Sequence, residues 1–177
     1  MRSQGGFTLI ELSIVLVVIA FLMGAVMQGQ KMLYNARMQR IVSDMDGYRQ
    51  AFLLYYDRYG MYPGDENDPN VPAGDTLNGN HTGLIDPAEV ANVWDDLATA
   101  MGVVRKASPV RGGTYNFGSR SFFGTGSQNC ISVTNLPNKV AQSIDARHDD
   151  GVYNTGNIQS SASYDGSETL ITLYWRI

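Results

Sequence analysis

A single carboxylate, Glu11, interrupts an otherwise apolar run near the N-terminus. Residues 7–27 read FTLIELSIVLVVIAFLMGAVM, and this run contains no Lys, Arg or Asp. As a helix, its 21 residues would extend roughly 30 Å, which is the hydrocarbon thickness of a bilayer. A charged side chain at that depth costs roughly 2.5 kcal/mol or more, so Glu11 is a candidate functional residue that needs a partner.

A second group of oxygen-bearing side chains has the spacing of an EF-hand calcium loop. That loop places oxygen ligands at positions 1, 3, 5, 7, 9 and 12 and glycine at position 6. An asparagine at position 1, where aspartate is usual, predicts weak binding with a Kd of about 10⁻⁴–10⁻³ M. In order, the predicted ligands are Asn78, Asn80, Thr82, the carbonyl of Leu84, Asp86 and Glu89, with Gly83 at position 6.

The calcium interpretation has an alternative that the residues leave open. In the alternative, the segment is a polar turn in which Asp86 starts a helix and Glu89 lies in the first turn of that helix. The sequence requires no cofactor, and calcium is the one ligand that its spacing suggests.

An acidic segment, IDARHDDGVYNTGNI, carries Asp145, His148, Asp149 and Asp150. One interpretation is a second cation site or a subunit contact. The favoured interpretation is a helix C-terminus closed by Gly151 in a tight turn. The sequence contains no phosphate-binding loop, CxxC pair or nucleophile elbow, so we predict that the chain is not an enzyme.

The six residues before the apolar run, MRSQGG, form a short leader with small residues on the near side of the run. A secretory signal peptide has its small-residue cleavage site on the far side instead. Cleavage after Gly6 would therefore remove only the leader and leave the apolar helix on the mature chain. The new N-terminus would be the amine of Phe7.

The segment GFTLIELSIVLVVIAFLMGAV resembles the N-terminal signature of type IV pilins and of the pseudopilins of type II secretion. The resemblance implies processing between Gly6 and Phe7 by a prepilin peptidase, usually with N-methylation of Phe7. It implies that Glu11 pairs with the N-terminal amine of a neighbouring subunit during assembly. It also implies an inner-membrane assembly platform, a cytoplasmic leader, a head outside the cytoplasm, and a homo-oligomeric helical filament in the periplasm or outside the cell.

Several roles fit this resemblance. The chain could be a type IV pilus subunit, a type II secretion pseudopilin, or a minor or initiator subunit. Many major pilins have a proline late in the apolar helix, whereas this chain has none before Pro63. The sequence therefore leaves open whether the chain is a major or a minor subunit. Two alternatives outside the filament class are an ordinary membrane anchor with a tolerated Glu11, and a membrane-tethered calcium-binding module that never polymerises.

The apolar helix is expected to continue well beyond the membrane. Apolar and aromatic residues recur at alternating steps of four and three, forming one stripe along a helix. Gly60 and Pro63 supply the stop signals, so a helix from Phe7 to Tyr59 would be about 80 Å long. The stripe is either a stacking array for conduction or, as we favour, the face on which a head packs. It consists of Tyr34, Met38, Ile41, Met45, Tyr48, Phe52, Tyr55 and Tyr59.

The rest of the 177-residue chain reads as one polar domain. We predict a helix over residues 87–104, short strands between Gly112 and Val133, a helix from Asn138 to Arg147 capped by the Asn138 side chain, and a final strand over 168–177. The only cysteine, Cys130, excludes an intrachain disulfide and is predicted to be a buried strand residue.

The predicted fold class is α+β. A long N-terminal α-helix, half transmembrane and half amphipathic, packs on a small globular head with an antiparallel β-sheet, as in pilin-like proteins. The predicted divisions are a leader at 1–6, a transmembrane and assembly helix at 7–30, an amphipathic extension at 31–60 and the head at 61–177. The net charge of −4 argues against nucleic acid as the main partner.

Overall fold

The first structural element is a helix of 51 residues, α1 (Leu9–Tyr59). The computed structural model describes residue 6, residues 8–74 and residues 77–177. By its contacts the chain divides into two compact units, Met1–Arg37 and Met38–Ile177. The second unit is the head, and it includes the C-terminal part of α1. The finer predicted division at residues 6, 30 and 60 stays a prediction.

The amphipathic stripe of α1 faces the core of the head. Burying an apolar side chain of this size stabilises a fold by about 1.5–3 kcal/mol, which explains why the stripe packs inward. Its aromatic rings contact rings from the rest of the head. The ring centres of Tyr48 and Trp94 lie 5.0 Å apart, and those of Phe52 and Phe117 lie 5.3 Å apart. The buried stripe residues are Met38, Ile41, Met45, Tyr48, Phe52 and Tyr55.

The head is built on a four-stranded antiparallel sheet with the strand order β1-β2-β4-β3. The strands are β1 (Tyr115–Phe122), β2 (Gly126–Pro137), β3 (Ile158–Ser160) and β4 (Leu170–Arg176). β4 lies within the predicted final strand at 168–177, and buried and more exposed residues alternate along it. The fold is therefore α+β, a long apolar helix and a small antiparallel sheet, and it agrees with the predicted pilin-like class.

Two shorter helices complete the head. The helix α2 (Val90–Met101) ends at Gly102, whose positive φ of 66° gives the left-handed C-cap that glycine adopts without strain. The helix α3 (Asn138–His148) follows β2 directly.

The predicted cap of α3 is wrong. Pro137 occupies the N-cap position, and the Asn138 side chain makes no capping bond. Its amide oxygen instead accepts hydrogen bonds from the backbone amides of Asp165 (2.9 Å) and Gly166 (3.2 Å), and its nitrogen donates to the Ser163 carbonyl (2.8 Å). Asn138 therefore fixes the loop before β4 rather than the start of the helix.

Candidate functional site

The first turn of α1 holds Glu11 in a reciprocal set of hydrogen bonds with Thr8. The Thr8 amide and the Thr8 hydroxyl both donate to Oε2 of Glu11, each at 2.8 Å. The Glu11 amide donates to Oγ1 of Thr8 at 3.3 Å. This is the capping box of a T-x-x-E sequence, in which the two side chains satisfy backbone amides that the helix leaves without partners.

The capping box changes the interpretation of Glu11. From the sequence, the carboxylate was expected to find its partner in the N-terminal amine of a neighbouring subunit. In the structure Thr8 already orients the carboxylate, a contact that was not predicted from the sequence. The signal was visible, because Thr8 and Glu11 have capping-box spacing. The predicted pairing of Glu11 with a neighbouring amine stays a prediction.

The helix that follows carries its apolar side chains on the outside. The large apolar residues from Leu9 to Met27 are exposed, and α1 is the one helix in the described part of the chain that is long and apolar enough to cross a membrane. Gly6, on the leader side of the predicted cleavage site, is exposed. Phe7, the predicted first residue of the mature chain, lies outside the described residues.

The predicted calcium ligands lie in one loop, and hydrogen bonds within the loop close it. The carboxylate of Glu89 accepts the backbone amides of Asn80 (2.9 Å) and Asp86 (2.8 Å). The Asp86 carboxylate accepts the Asn80 side-chain amide at 3.0 Å, and the Thr82 hydroxyl donates to the Leu84 carbonyl at 3.2 Å. The carbonyl of Asn78 accepts a bond from Asn92 at 3.1 Å. The calcium assignment stays a prediction.

A buried carboxylate outside the predicted set anchors this loop. Asp65 accepts the amides of Thr82 (2.8 Å) and Gly83 (2.6 Å) and is almost fully buried. The chain passes so close to itself here that a Cβ on Gly79 would lie 2.3 Å from the Gly64 carbonyl oxygen. Glycine is therefore required at position 79, and the loop is a packed part of the head.

The acidic segment forms a closed turn at the end of α3. Single ligand atoms of Asp145, Asp149 and Asp150 lie within 4.8 Å of one another. Burial raises the pKa of Asp145, against the bonds that Tyr164 and Gly151 donate to it. This geometry agrees with the favoured interpretation, a helix end closed at Gly151, which has a φ of 75°.

Hydrogen bonds act in the opposite direction on Asp150, the exposed member of the acidic turn. Bonds from the Thr155 hydroxyl and the Val152 amide lower the pKa of Asp150. The pKa values of Asp145 and Asp150 therefore shift in opposite directions, because Asp145 is buried whereas Asp150 is exposed and well hydrogen-bonded.

A buried carboxylate, Asp44, joins α1 to the segment after α2 through an ion pair with the half-exposed Lys106. The carboxylate of Asp44 accepts bonds from Lys106 Nζ (2.9 Å) and the Tyr115 hydroxyl (3.2 Å), and Arg40 Nε lies 3.6 Å away. The hydrogen bond and the charge of Asp44 raise the pKa of Lys106. Burial, followed by the charge of Asp44, raises the pKa of Tyr115. The periodicity of α1 had placed Asp44 off the buried stripe, whereas the structure buries it.

One family model matches the chain. Residues 1–27 match the prokaryotic N-terminal methylation motif. This motif is the prepilin signature of type IV pilins and pseudopilins, so the resemblance seen in the first residues is confirmed. No curated protein and no solved structure matches the chain.

Proposed function

We propose that this chain, which carries the prepilin signature at residues 1–27, is a structural subunit of a type IV pilus-like filament. It is made as a membrane-anchored precursor and cleaved after Gly6 by a prepilin peptidase. An inner-membrane platform then assembles it through α1 into a helical filament of identical subunits, with the heads outside the cytoplasm. The role is structural rather than enzymatic.

The observation that carries this proposal is the exposed apolar surface that begins within the signature. The side chains of Leu9, Leu16 and Phe21 are exposed by two thirds or more. A continuous apolar surface of this kind needs either lipid or another protein surface against it. Lipid covers it in the precursor, and copies of the same helix cover it in the filament.

Glu11 supports the same proposal because it is the one charged side chain on this surface. Oε2 of Glu11 already accepts both bonds from Thr8, so the carboxylate is held at the helix N-terminus. Cleavage after Gly6 creates a positive amine beside Thr8. An ion pair in a low-dielectric surrounding is favourable when its geometry is good, and a pre-oriented carboxylate provides that geometry for the amine of a neighbouring subunit.

The proposal is tested by electron microscopy and N-terminal mass analysis of material sheared from cells. We expect filaments whose subunit begins at Phe7. In a Glu11→Ala variant, the precursor should insert and be cleaved but form no filaments. A matched control is Ser13→Ala in the same helix, because among the described residues the Ser13 hydroxyl bonds its own helix backbone alone, at the Ile10 carbonyl (2.8 Å). Normal filaments from Glu11→Ala would refute the pairing.

A pseudopilin of type II secretion is the alternative that shares the same signature. It predicts that deletion of the gene abolishes secretion while the sheared fraction contains no fibres of this chain. A minor or initiator subunit predicts filaments in which this chain is rare, and deletion then lowers the number of filaments without changing their main subunit.

A further inference from the structure

Two basic side chains, Lys31 and Arg37, follow the apolar part of α1. Both are exposed, and both belong to the same compact unit as the apolar residues, Met1–Arg37. After Glu11, the next acidic residue along α1 is Asp44, so residues 12–43 contain basic charges alone. The part of α1 that follows its apolar surface is therefore positively charged.

Lys31 and Arg37 have no acidic neighbour on their own helix. Side chains three or four positions apart on a helix are neighbours, and those positions around Lys31 and Arg37 hold no aspartate or glutamate. Among the described residues neither side chain is in an ion pair, whereas Arg40 Nε lies 3.6 Å from the Asp44 carboxylate. Two positive charges of α1 are thus unpaired within the chain, and Arg40 is not one of them.

Lys31 and Arg37 lie on one row of the helix surface with Tyr34 between them. The three residues are spaced by three positions, and residues at this spacing are neighbours on a helix. Tyrosine is enriched where a helix leaves a bilayer, because its apolar ring and polar hydroxyl suit the level of the headgroups. Lysine and arginine cover apolar surface with their stems and keep the charged end in a polar layer.

The position of this row along α1 agrees with the headgroup layer of a bilayer. The exposed apolar residues from Leu9 to Met27 cover about 28 Å of helix, close to the hydrocarbon thickness of about 30 Å. The headgroup layer beyond it is about 5–8 Å thick on each side. Lys31 lies about 6 Å beyond Met27, inside this layer. Arg37 lies about 15 Å beyond Met27, and its long side chain points back toward the layer, because helical side chains are directed toward the helix N-terminus.

We propose that Lys31 and Arg37 bind the phosphates of anionic phospholipids in the leaflet on the head side of the membrane. This inference rests on the proposed membrane-anchored precursor and goes beyond it by naming the class of lipid. A lysine or arginine near an anionic membrane surface favours that surface by roughly fivefold at low salt. The two contacts set the depth of α1 in the bilayer, with Glu11 about 30 Å from Lys31 along the helix axis.

A lipid headgroup fits this surface better than an acidic protein surface does. The side chains of Met32 and Leu33, next to Lys31, are 66% and 61% exposed. Large apolar side chains and unpaired basic ones therefore occur at the same level of one helix. A bilayer interface offers acyl carbon and phosphate at that one level, and helices that lie at interfaces combine the same residue types.

The test measures the lipid preference of the full-length chain reconstituted in phosphatidylcholine bilayers. Spin-labelled phosphatidylglycerol and spin-labelled phosphatidylcholine are the probes, and electron paramagnetic resonance gives the ratio of their association constants. In the Lys31→Gln/Arg37→Gln variant this ratio should fall by at least about twofold, after averaging over all lipids around the helix. In the unchanged chain, high salt should lower the ratio as well, because it screens exposed charges. The leader residue Arg2 is common to all variants, so its contribution cancels in the comparison.

The matched control is Arg49→Gln/Arg58→Gln, which removes two positive charges from the part of α1 that belongs to the head. Arg49 and Arg58 are 22 and 31 residues beyond Met27. Their guanidinium groups lie 5.7 Å from the Trp175 ring centre and 5.2 Å from the Tyr59 ring centre. The lipid ratio of this control should equal that of the unchanged chain.

An unchanged ratio in the Lys31→Gln/Arg37→Gln variant, or an equal fall in the control, would overturn the proposal. If the Lys31→Gln/Arg37→Gln variant keeps its lipid preference but forms no filaments in cells, the partner of these residues is an acidic surface of another subunit, and the lipid assignment is wrong. The bilayer measurement requires no filament, so its failure leaves the filament proposal untouched.

Discussion

Replacing Asp44 by alanine should destabilise the head more than any other single change to a charged residue of α1. The side chain is only 7% exposed and joins three elements. It accepts bonds from Lys106 after α2 and from Tyr115 on β1, and it lies one turn from Arg40. Alanine leaves the Tyr115 hydroxyl buried without its acceptor.

The expected loss of unfolding free energy follows from the exposure of each partner. A hydrogen bond from a buried hydroxyl to a charged acceptor contributes about 1.5–3 kcal/mol. The Lys106 side chain is 56% exposed, so its ion pair adds at most about 1 kcal/mol after screening by solvent. The sum is roughly 2–4 kcal/mol, which for a chain of this size lowers Tm by about 4–16 °C. Asp44→Asn keeps one oxygen for Tyr115 and should lose about half as much.

The assay is thermal unfolding of the full-length chain in detergent micelles. Tryptophan fluorescence reports on the head core, where Trp94 contacts Tyr48. The matched control is Asp46→Ala on the same helix, where the carboxylate accepts one bond from Gln50 at 2.9 Å and the expected effect is within about 0.5 kcal/mol. If the Asp44→Ala and Asp46→Ala variants melt together, the contacts of Asp44 with Lys106 and Tyr115 contribute nothing and the reasoning fails.

Three further predictions concern the loop, the tyrosines and the helix N-terminus. If the predicted calcium loop binds with a Kd near 10⁻³ M, 10 mM calcium should stabilise the head by about 1.4 kcal/mol. Magnesium should not stabilise the head, and the Asp86→Asn variant should lose the effect of calcium. If 10 mM calcium leaves the Tm unchanged, the site does not exist. Burial raises the pKa of Tyr115 and of Tyr164 in the folded chain, whereas the same phenols ionise near pH 10 when the chain is unfolded. The stability of the head should therefore fall as the pH rises above about 10. Absorbance at 295 nm should show both phenols ionising only when the chain unfolds. Titration of all tyrosines at about pH 10 in the folded chain would contradict this assignment. Thr8→Val should lower the yield of filaments and Thr8→Ser should preserve it, because only serine keeps the hydroxyl that donates to Glu11. Filaments are counted by electron microscopy. Equal yields from the two variants would show that the capping box does not prepare Glu11 for assembly.

The main elements were predictable because they follow from local periodicity. The alternating steps of α1 and the alternation in β4 are each repeated over enough residues to define one buried face. The strand β3 was not predicted, since its three residues carry no period. Its position depends instead on the hydrogen bond from the Ile158 amide to Asp149 and on pairing with β4. The strand β4 begins at Leu170, twelve residues after Ile158.

The buried polar contacts were not predictable for a different reason. The partners of Asp44 lie 62 and 71 residues away in the sequence, so no local pattern shows them. A periodicity argument also assigns a charged residue to the solvent side by default. Asn138 shows the same limit, because the sequence suggested a local cap and the structure uses the side chain for a loop 25 or more residues away. At the helix N-terminus the opposite holds, since the Thr8 and Glu11 bonds are local and could have been found.

The packing of α1 within the head also has a mechanical consequence. The buried stripe from Met38 to Tyr55 spans about 25 Å along the helix axis. Tension applied along α1 would pull this stripe parallel to the surface it packs on, so its contacts would be loaded together in shear rather than peeled apart in turn. The Asp44 contacts to Lys106 and Tyr115 lie within this stretch and would resist the same sliding. A head joined to its helix in this way should withstand a pulling force better than one attached at the end of a flexible linker.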